Sequence, residues 1–341
     1  MSAKRFFVGF LVSAVCCGAL SGCGLFSSGS AEDADKPAAA LPELDMKRVE
    51  SDEKWGIKFS EDKRTLLRYE PKLRVKKYVL PAGVTTIGEN AFLESPNLTE
   101  VVLPAGVTTI GKGAFAGCRE LTKVSLPSGL TSIGVGAFFR CPKLKAAVLP
   151  PTVTTVANKA FAGCAGLESV VISAGVTAIG DRAFFGCTGL TKVALPASVT
   201  TVGHGAFRGC SKLTDVTLSK GVKSIGNSAF AECRSLKAVA IPAGAETVGE
   251  GAFSECWDLE RVTVDPGATS IGKGAFFRCE KLTGVTLPEG LVSIGDIAFM
   301  ECSSLKDIAI PKSVTSIGKG AFKNSPCDEK VMEAHPDLYR L

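Results

Sequence analysis

The chain has 341 residues, 45% of them apolar and 21% charged, with a formal net charge of +5. This is an ordinary globular composition, not that of a disordered or collagen-like chain. The charge is too small to argue for nucleic acid, and no basic face with interleaved aromatics accompanies it.

Residues 1–22 have a basic start at Lys4 and Arg5, an apolar run from Phe6 to Leu20, and small residues before Cys23. That layout is a secretory signal. The run is short for a membrane span, which takes about 20 residues. Leu20-Ser21-Gly22-Cys23 resembles a bacterial lipobox. The resemblance implies acylation of Cys23, which becomes the mature N-terminus and holds the protein to a membrane through lipid. Residues 23–45 are rich in Gly, Ser, Ala, Pro and acidic side chains. They are expected to form a flexible tether.

Residues 46–80 carry a different pattern. Trp55-Gly-Ile57-Lys-Phe59 alternates apolar and polar, Ser60 to Lys63 suits a turn, and Thr65 to Tyr69 follows as a second strand. The expected element is a β-hairpin capping the solenoid described next. Arg68, Lys72, Arg74, Lys76 and Lys77 form a basic cluster here. It suits either protection of an exposed strand edge or contact with anionic lipid head groups near the anchor.

From residue 81 to 325 the chain is an array. Phe92, Phe115, Phe138, Phe161, Phe184, Phe207, Phe230, Phe253, Phe276, Phe299 and Phe322 are spaced by 23 without insertion or deletion, giving eleven copies. A fixed period in this range means stacked units that cannot bury their apolar side chains alone. Within a copy, Val124 and Leu126 keep strand alternation, and Lys123 and Ser125 then face outward. Pro127 ends the strand, because it has no N–H to give the ladder. Leu130 to Ile133 forms a second extended stretch, and Ala137-Phe138 falls in a short helical or 3₁₀ turn.

The pattern Leu-x-x-Val-x-Leu-Pro-x-x-Val-Thr-x-Ile-Gly-x-x-Ala-Phe-x-x-Cys, running over residues 79–325, resembles the BspA-type leucine-rich repeat of bacterial surface proteins. The resemblance implies an α/β, leucine-rich repeat solenoid of eleven 23-residue repeats, with a concave parallel sheet and short helical turns. It also implies surface exposure and, in some members, adhesion to host matrix proteins or to other bacteria.

Nine cysteines recur at the period, from Cys118 to Cys302. Export suggests disulfides. Parallel side chains about 4.8 Å apart in stacked turns do not present the short, convergent Cβ pair that a disulfide needs. The expectation is a ladder of buried, reduced thiols. Ser95 and Ser325 stand at the ladder's two ends. Ser325-Pro326-Cys327-Asp328 suits a helix N-cap, a first-turn Pro and a capping acid, so residues 326–341 are expected to close the C-terminal end. Cys327, outside the ladder, is expected to be the most accessible thiol, and a Cys302–Cys327 bond is conceivable.

Two histidines, His204 and His335, compose no catalytic arrangement. No zinc-ligand spacing or phosphate loop is present, so no enzyme, metal or cofactor is expected. Two outward columns of the main strand offer an extended contact surface. Candidate ligand-binding residues there are Lys123, Lys192, Asp215, Thr217, Arg261 and Asp307. Phe139, Phe185 and Phe277 share another column with smaller residues such as Ala162. Each either packs over a neighbour's alanine or belongs to an exposed apolar strip. The leading expectation is a lipid-anchored, surface-exposed envelope protein that binds a protein ligand. The alternative is a periplasm-facing scaffold with no external ligand.

Overall fold

A computed structural model describes residues 43–338. The expected signal segment, Cys23 and the expected tether up to residue 42 lie outside the described residues. The remainder is a solenoid of stacked turns. Each turn but the last contributes a main strand of three or four residues, and every turn contributes a second strand of two residues. Neighbouring copies pair in parallel at a constant offset of 23, as in Lys192↔Asp215, Val193↔Val216 and Ala194↔Thr217. The second strands run as an eight-stranded ladder from Thr155–Val156 to Ser316–Ile317. The main strands form shorter sheets, the largest having five strands from Lys192–Ala194 to Gly284–Thr286.

The repeated phenylalanines form one continuous stack. Consecutive rings from Phe92 to Phe322 lie 4.8–5.5 Å apart with interplanar angles of 2–12°. All eleven are essentially inaccessible to solvent. Burial of one such ring contributes roughly 1.5–3 kcal/mol, and stacking adds to it. The ring is locked from the backbone as well, since the Phe207 N–H donates to the Ala229 carbonyl of the next copy at 2.7 Å. The Ala-Phe pairs sit in hydrogen-bonded turns, and the described copies contain no helix at this point. The glycine of Ile-Gly has a steric cause. A Cβ on Gly134 would lie 2.5 Å from the Lys112 nitrogen and 2.6 Å from the Gly111 carbonyl carbon, which favours glycine here in every copy but the one with Ala157.

The N-terminal end differs from a simple hairpin. Helix α1, Met46–Lys54, precedes it, with Asp45 Oδ1 accepting the Arg48 N–H at 3.1 Å. Strands β1 (Lys58–Phe59) and β2 (Thr65–Arg68) then pair antiparallel, and β2 continues into the solenoid by pairing in parallel with Thr86–Ile87. Six of the nine α1 residues are charged, so no apolar stripe announces the helix. It is held instead by buried Val49 and by buried Asp52, which accepts the Tyr78 hydroxyl at 2.6 Å and pairs with Arg48 at 3.1 Å. Burial raises the Tyr78 phenol pKa, and the hydrogen bond to Asp52 adds to the rise. Tyr69, 23 residues before Phe92, extends the ring stack at 5.1 Å. The end of the expected tether is also pinned, since the Asp45 N–H donates to the Ala82 carbonyl and Leu44 packs on the core.

Helix α2, Asp328–Ala334, closes the other end. Ser325 is not its N-cap. The N-cap position falls to Cys327, whose side chain makes no capping bond. Ser325 is held elsewhere, by the ladder described below. Cys327 is fully buried rather than accessible, and Cys302 and Cys327 are both free thiols.

Candidate functional site

The outward rows of the five-stranded sheet follow from its register. Lys192, Asp215, Ala238, Arg261 and Gly284 form one row, and Ala194, Thr217, Ala240, Thr263 and Thr286 the next. Their neighbours Val193, Val239 and Val262 point inward and are buried. Strand alternation thus separates a constant core from a variable face.

Across the middle of this face runs a cleft of about 440 Å³. Its floor is low because Ala238 and Ala240 end at Cβ, and its walls include Asp215, Thr217, Lys237 and Arg261. Asp215 is shared between Lys192 Nζ at 3.5 Å and the Thr214 hydroxyl, which donates at 2.8 Å. The Arg261 stem crosses Gly284, whose missing Cβ would lie 3.3 Å from Arg261 Cγ. The guanidinium forms no ion pair among the described residues. Lys237 is held by Asp258 at 3.1 Å, and Asp258 also takes Lys281 at 2.6 Å. Those two ammonium groups hold the Asp258 carboxyl below the usual carboxylate range, with Lys281 the larger influence.

The structure therefore gathers Lys192, Asp215, Thr217 and Arg261 and separates the other two candidates. Lys123 lies on a different, three-stranded sheet beside Glu100, at 3.9 Å. Asp307 lies outside any strand, because the main strand does not form in that copy, and its exposed carboxylate pairs with Lys330 of α2 at 2.5 Å. Sequence reasoning missed Lys237 and Asp258. A signal for such residues existed in opposite charges one period apart, which pair across copies in Lys145–Glu168 at 2.7 Å and Lys281–Asp258. These exposed pairs contribute little to stability, because solvent screens them.

The thiols form a separate feature. Each ladder Sγ lies 3.0–3.3 Å from the carbonyl oxygen of a phenylalanine 26 residues earlier, from Cys118–Phe92 to Cys302–Phe276. Burial pushes Cys118, Cys210, Cys256 and Cys302 up to about 12, and Cys327 up to about 11. The thiolate is the reactive and metal-binding form, so this environment suppresses both chemistries. Among the described residues no group of His, Cys, Asp and Glu could hold a metal ion. His204 is used by the backbone, its Nδ1 accepting the Asn227 N–H at 3.0 Å.

Comparison with known proteins matches this chain to the BspA type leucine rich repeat region over residues 69–190, 154–283 and 200–329. Among solved structures, a leucine-rich repeat protein from Bacteroides ovatus is similar at 22% identity and a TM-score of 0.53, covering 83% of this chain and 95% of that one. The pneumococcal vaccine antigen PcpA is similar at 21% identity and a TM-score of 0.54, covering 77% of this chain and 72% of that one. Among curated proteins none matches the chain.

Proposed function

This chain belongs to the BspA-type leucine-rich repeat family, whose repeat fold generally serves protein binding, and from that premise we propose that it is a lipid-anchored, non-enzymatic binding protein of the bacterial cell surface. Its anchor is Cys23, and its ligand is a protein of a host matrix or a neighbouring cell. The observation that carries the reading is the cleft around Asp215, Thr217, Lys237 and Arg261, set in the face of the five-stranded sheet. A hot spot needs a depression that excludes water and a few groups with unspent bonding capacity. The Ala238 and Ala240 floor supplies the first, and the Arg261 guanidinium supplies the second. The apolar leader ending at Cys23 and the polar segment after it support attachment with reach.

Two measurements test this reading. Protease applied to intact cells is expected to remove the protein; full protection would place it inside the envelope and favour the scaffold. Beads coated with the chain from Cys23 onward are expected to adhere to immobilised matrix proteins or to neighbouring bacteria. A Lys192→Glu/Arg261→Glu double variant is expected to reduce that adhesion about tenfold or more. Equal adhesion by the variant would move the site off this sheet.

A further inference from the structure

The residue after each stacked phenylalanine forms a second row, on the turn segment and apart from the outward strand rows. In it Phe139 is half-buried and Phe185 is 40% exposed, with buried Ala162 between them. With Lys159, Arg182 and Arg208 they line a cleft of about 440 Å³. The two phenylalanines are two copies apart, about 10 Å by strand spacing. That leaves room for one ring or one aliphatic side chain above the Ala162 methyl.

Two features show how this cleft arises. Two residues beyond the stacked phenylalanine, three consecutive copies have Gly163, Gly186 and Gly209, whereas the copies on either side have Arg140 and Glu232. Nothing lies within 4 Å of where a Gly186 Cβ would stand, so this flank is open. Arg140 covers the Phe139 ring at 5.0 Å, and Glu232 holds Arg208 at 2.7 Å. The second feature is the backbone of Lys159 and Arg182, with φ of 58° and 53°. The equivalent residue is glycine in six other copies and Asn90, Ser228 or Ile297 in the other three, at the same left-handed backbone. Left-handed backbone disfavours a residue with a side chain. Two adjacent copies nevertheless place long cations there, at the mouth of the cleft, and neither forms an ion pair among the described residues.

We propose that this cleft is a second binding site, for an acidic peptide segment carrying one apolar side chain between carboxylates. The apolar side chain enters between Phe139 and Phe185 over Ala162. The flanking carboxylates meet Lys159 and Arg182, with charge-assisted hydrogen bonds to the guanidinium. Charge complementarity selects this ligand: three cations line the cleft, only Arg208 is already paired, and no acidic side chain lines it. The site does not depend on the sheet cleft around Arg261.

The test is fluorescence anisotropy of a dye-labelled synthetic peptide with one Phe flanked by Glu and Asp residues, titrated with the chain. Saturable binding is expected. Lys159→Glu/Arg182→Glu is expected to weaken it about tenfold or more, and Ala162→Phe to do the same by filling the cleft. Other copies already carry Phe at that position, so the filled variant is expected to fold, which a thermal melt checks. Ala162→Leu serves as a second filling variant. Lys192→Glu/Arg261→Glu is expected to leave peptide binding unchanged, which separates this site from the sheet face. Absence of binding would overturn the proposal. So would equal binding of a Phe→Ser peptide, or wild-type affinity in folded Ala162→Phe and Ala162→Leu. Preference for a sulfated oligosaccharide, bound alike by wild type and by the filled variants, would replace the peptide with a simple polyanion.

Discussion

Ser325 donates its hydroxyl hydrogen to the Phe299 carbonyl oxygen at 2.7 Å and accepts the Cys302 amide N–H at 2.9 Å. It stands where nine preceding copies place a cysteine, and it repeats their contact with a phenylalanine carbonyl. The position therefore demands a small side chain that can donate, and sulfur chemistry is not what it supplies. At the opposite end Ser95 is equally buried, but its hydroxyl has no partner among the described residues.

Ser325→Ala is expected to destabilise the fold by about 1–3 kcal/mol, because it leaves the buried Cys302 N–H without an acceptor. Denaturant midpoints with an unchanged slope would measure this. A loss below about 0.5 kcal/mol would show that the bond is replaceable.

The ladder thiols are expected to resist alkylation in the native protein and to react fully once it unfolds. Intact-mass shifts under the two conditions decide the matter. Cys327, buried like the rest, is expected to share this protection. Rapid native labelling at several ladder positions would contradict the geometry.

Stability is expected to fall steeply above pH 9. The folded pKa of Cys210 and Cys256 is raised by burial to about 12 from an ordinary value of 9.0. Their contribution is complete below the unfolded pKa and is lost as pH rises towards the folded one. Each such thiol removes at most about 1.4 kcal/mol per pH unit in that window. Melting temperatures measured from pH 8 upward should fall above pH 9, and less steeply in a Cys210→Ala/Cys256→Ala variant. A flat profile up to pH 11 would contradict this account.

Phe207→Ala is expected to cost about 3–5 kcal/mol by opening a cavity in the stack, where Phe207 lies 5.1 Å from Phe184 and 5.2 Å from Phe230. Lys192→Glu and Arg261→Glu are each expected to change stability by no more than about 0.5 kcal/mol. Chemical denaturation of the three variants tests the division between core and face. A large loss in either charge variant would mean that the outward row supports the fold.

Cys23→Ala is expected to move the protein from the membrane fraction to the soluble fraction and to abolish acyl labelling. One chain anchors only marginally, since each buried CH₂ contributes about 0.8 kcal/mol, so stable attachment requires at least two. Unchanged partitioning into detergent would rule out lipidation at this residue.

The alternation around Val193 and Val216 and the constancy of the phenylalanine and cysteine columns made register and core legible without coordinates. Each copy packs on a near-copy of itself, so whatever the interior requires must recur every 23 residues. The ends lacked that redundancy. Helix α1 relies on the Asp52–Tyr78 contact across 26 residues, which no local pattern announces. Ser325 resembled a helix cap because its neighbours suited one, yet a carbonyl one turn back in the solenoid claimed its hydroxyl.

The repeat period thus determined the solenoid, the parallel register, and which columns are buried, because these follow from translational stacking of one unit. Tertiary structure decided everything that breaks the translation. It determined that Asp307 leaves the sheet and pairs with Lys330, and that Arg261 leans into the space left by Gly284. It also determined that Phe185 borders an open cleft while sharing a column with the buried Ala162. These outcomes depend on the sizes and charges of side chains in adjacent turns, brought within a few ångström by a chain that separates them by 23 residues or more.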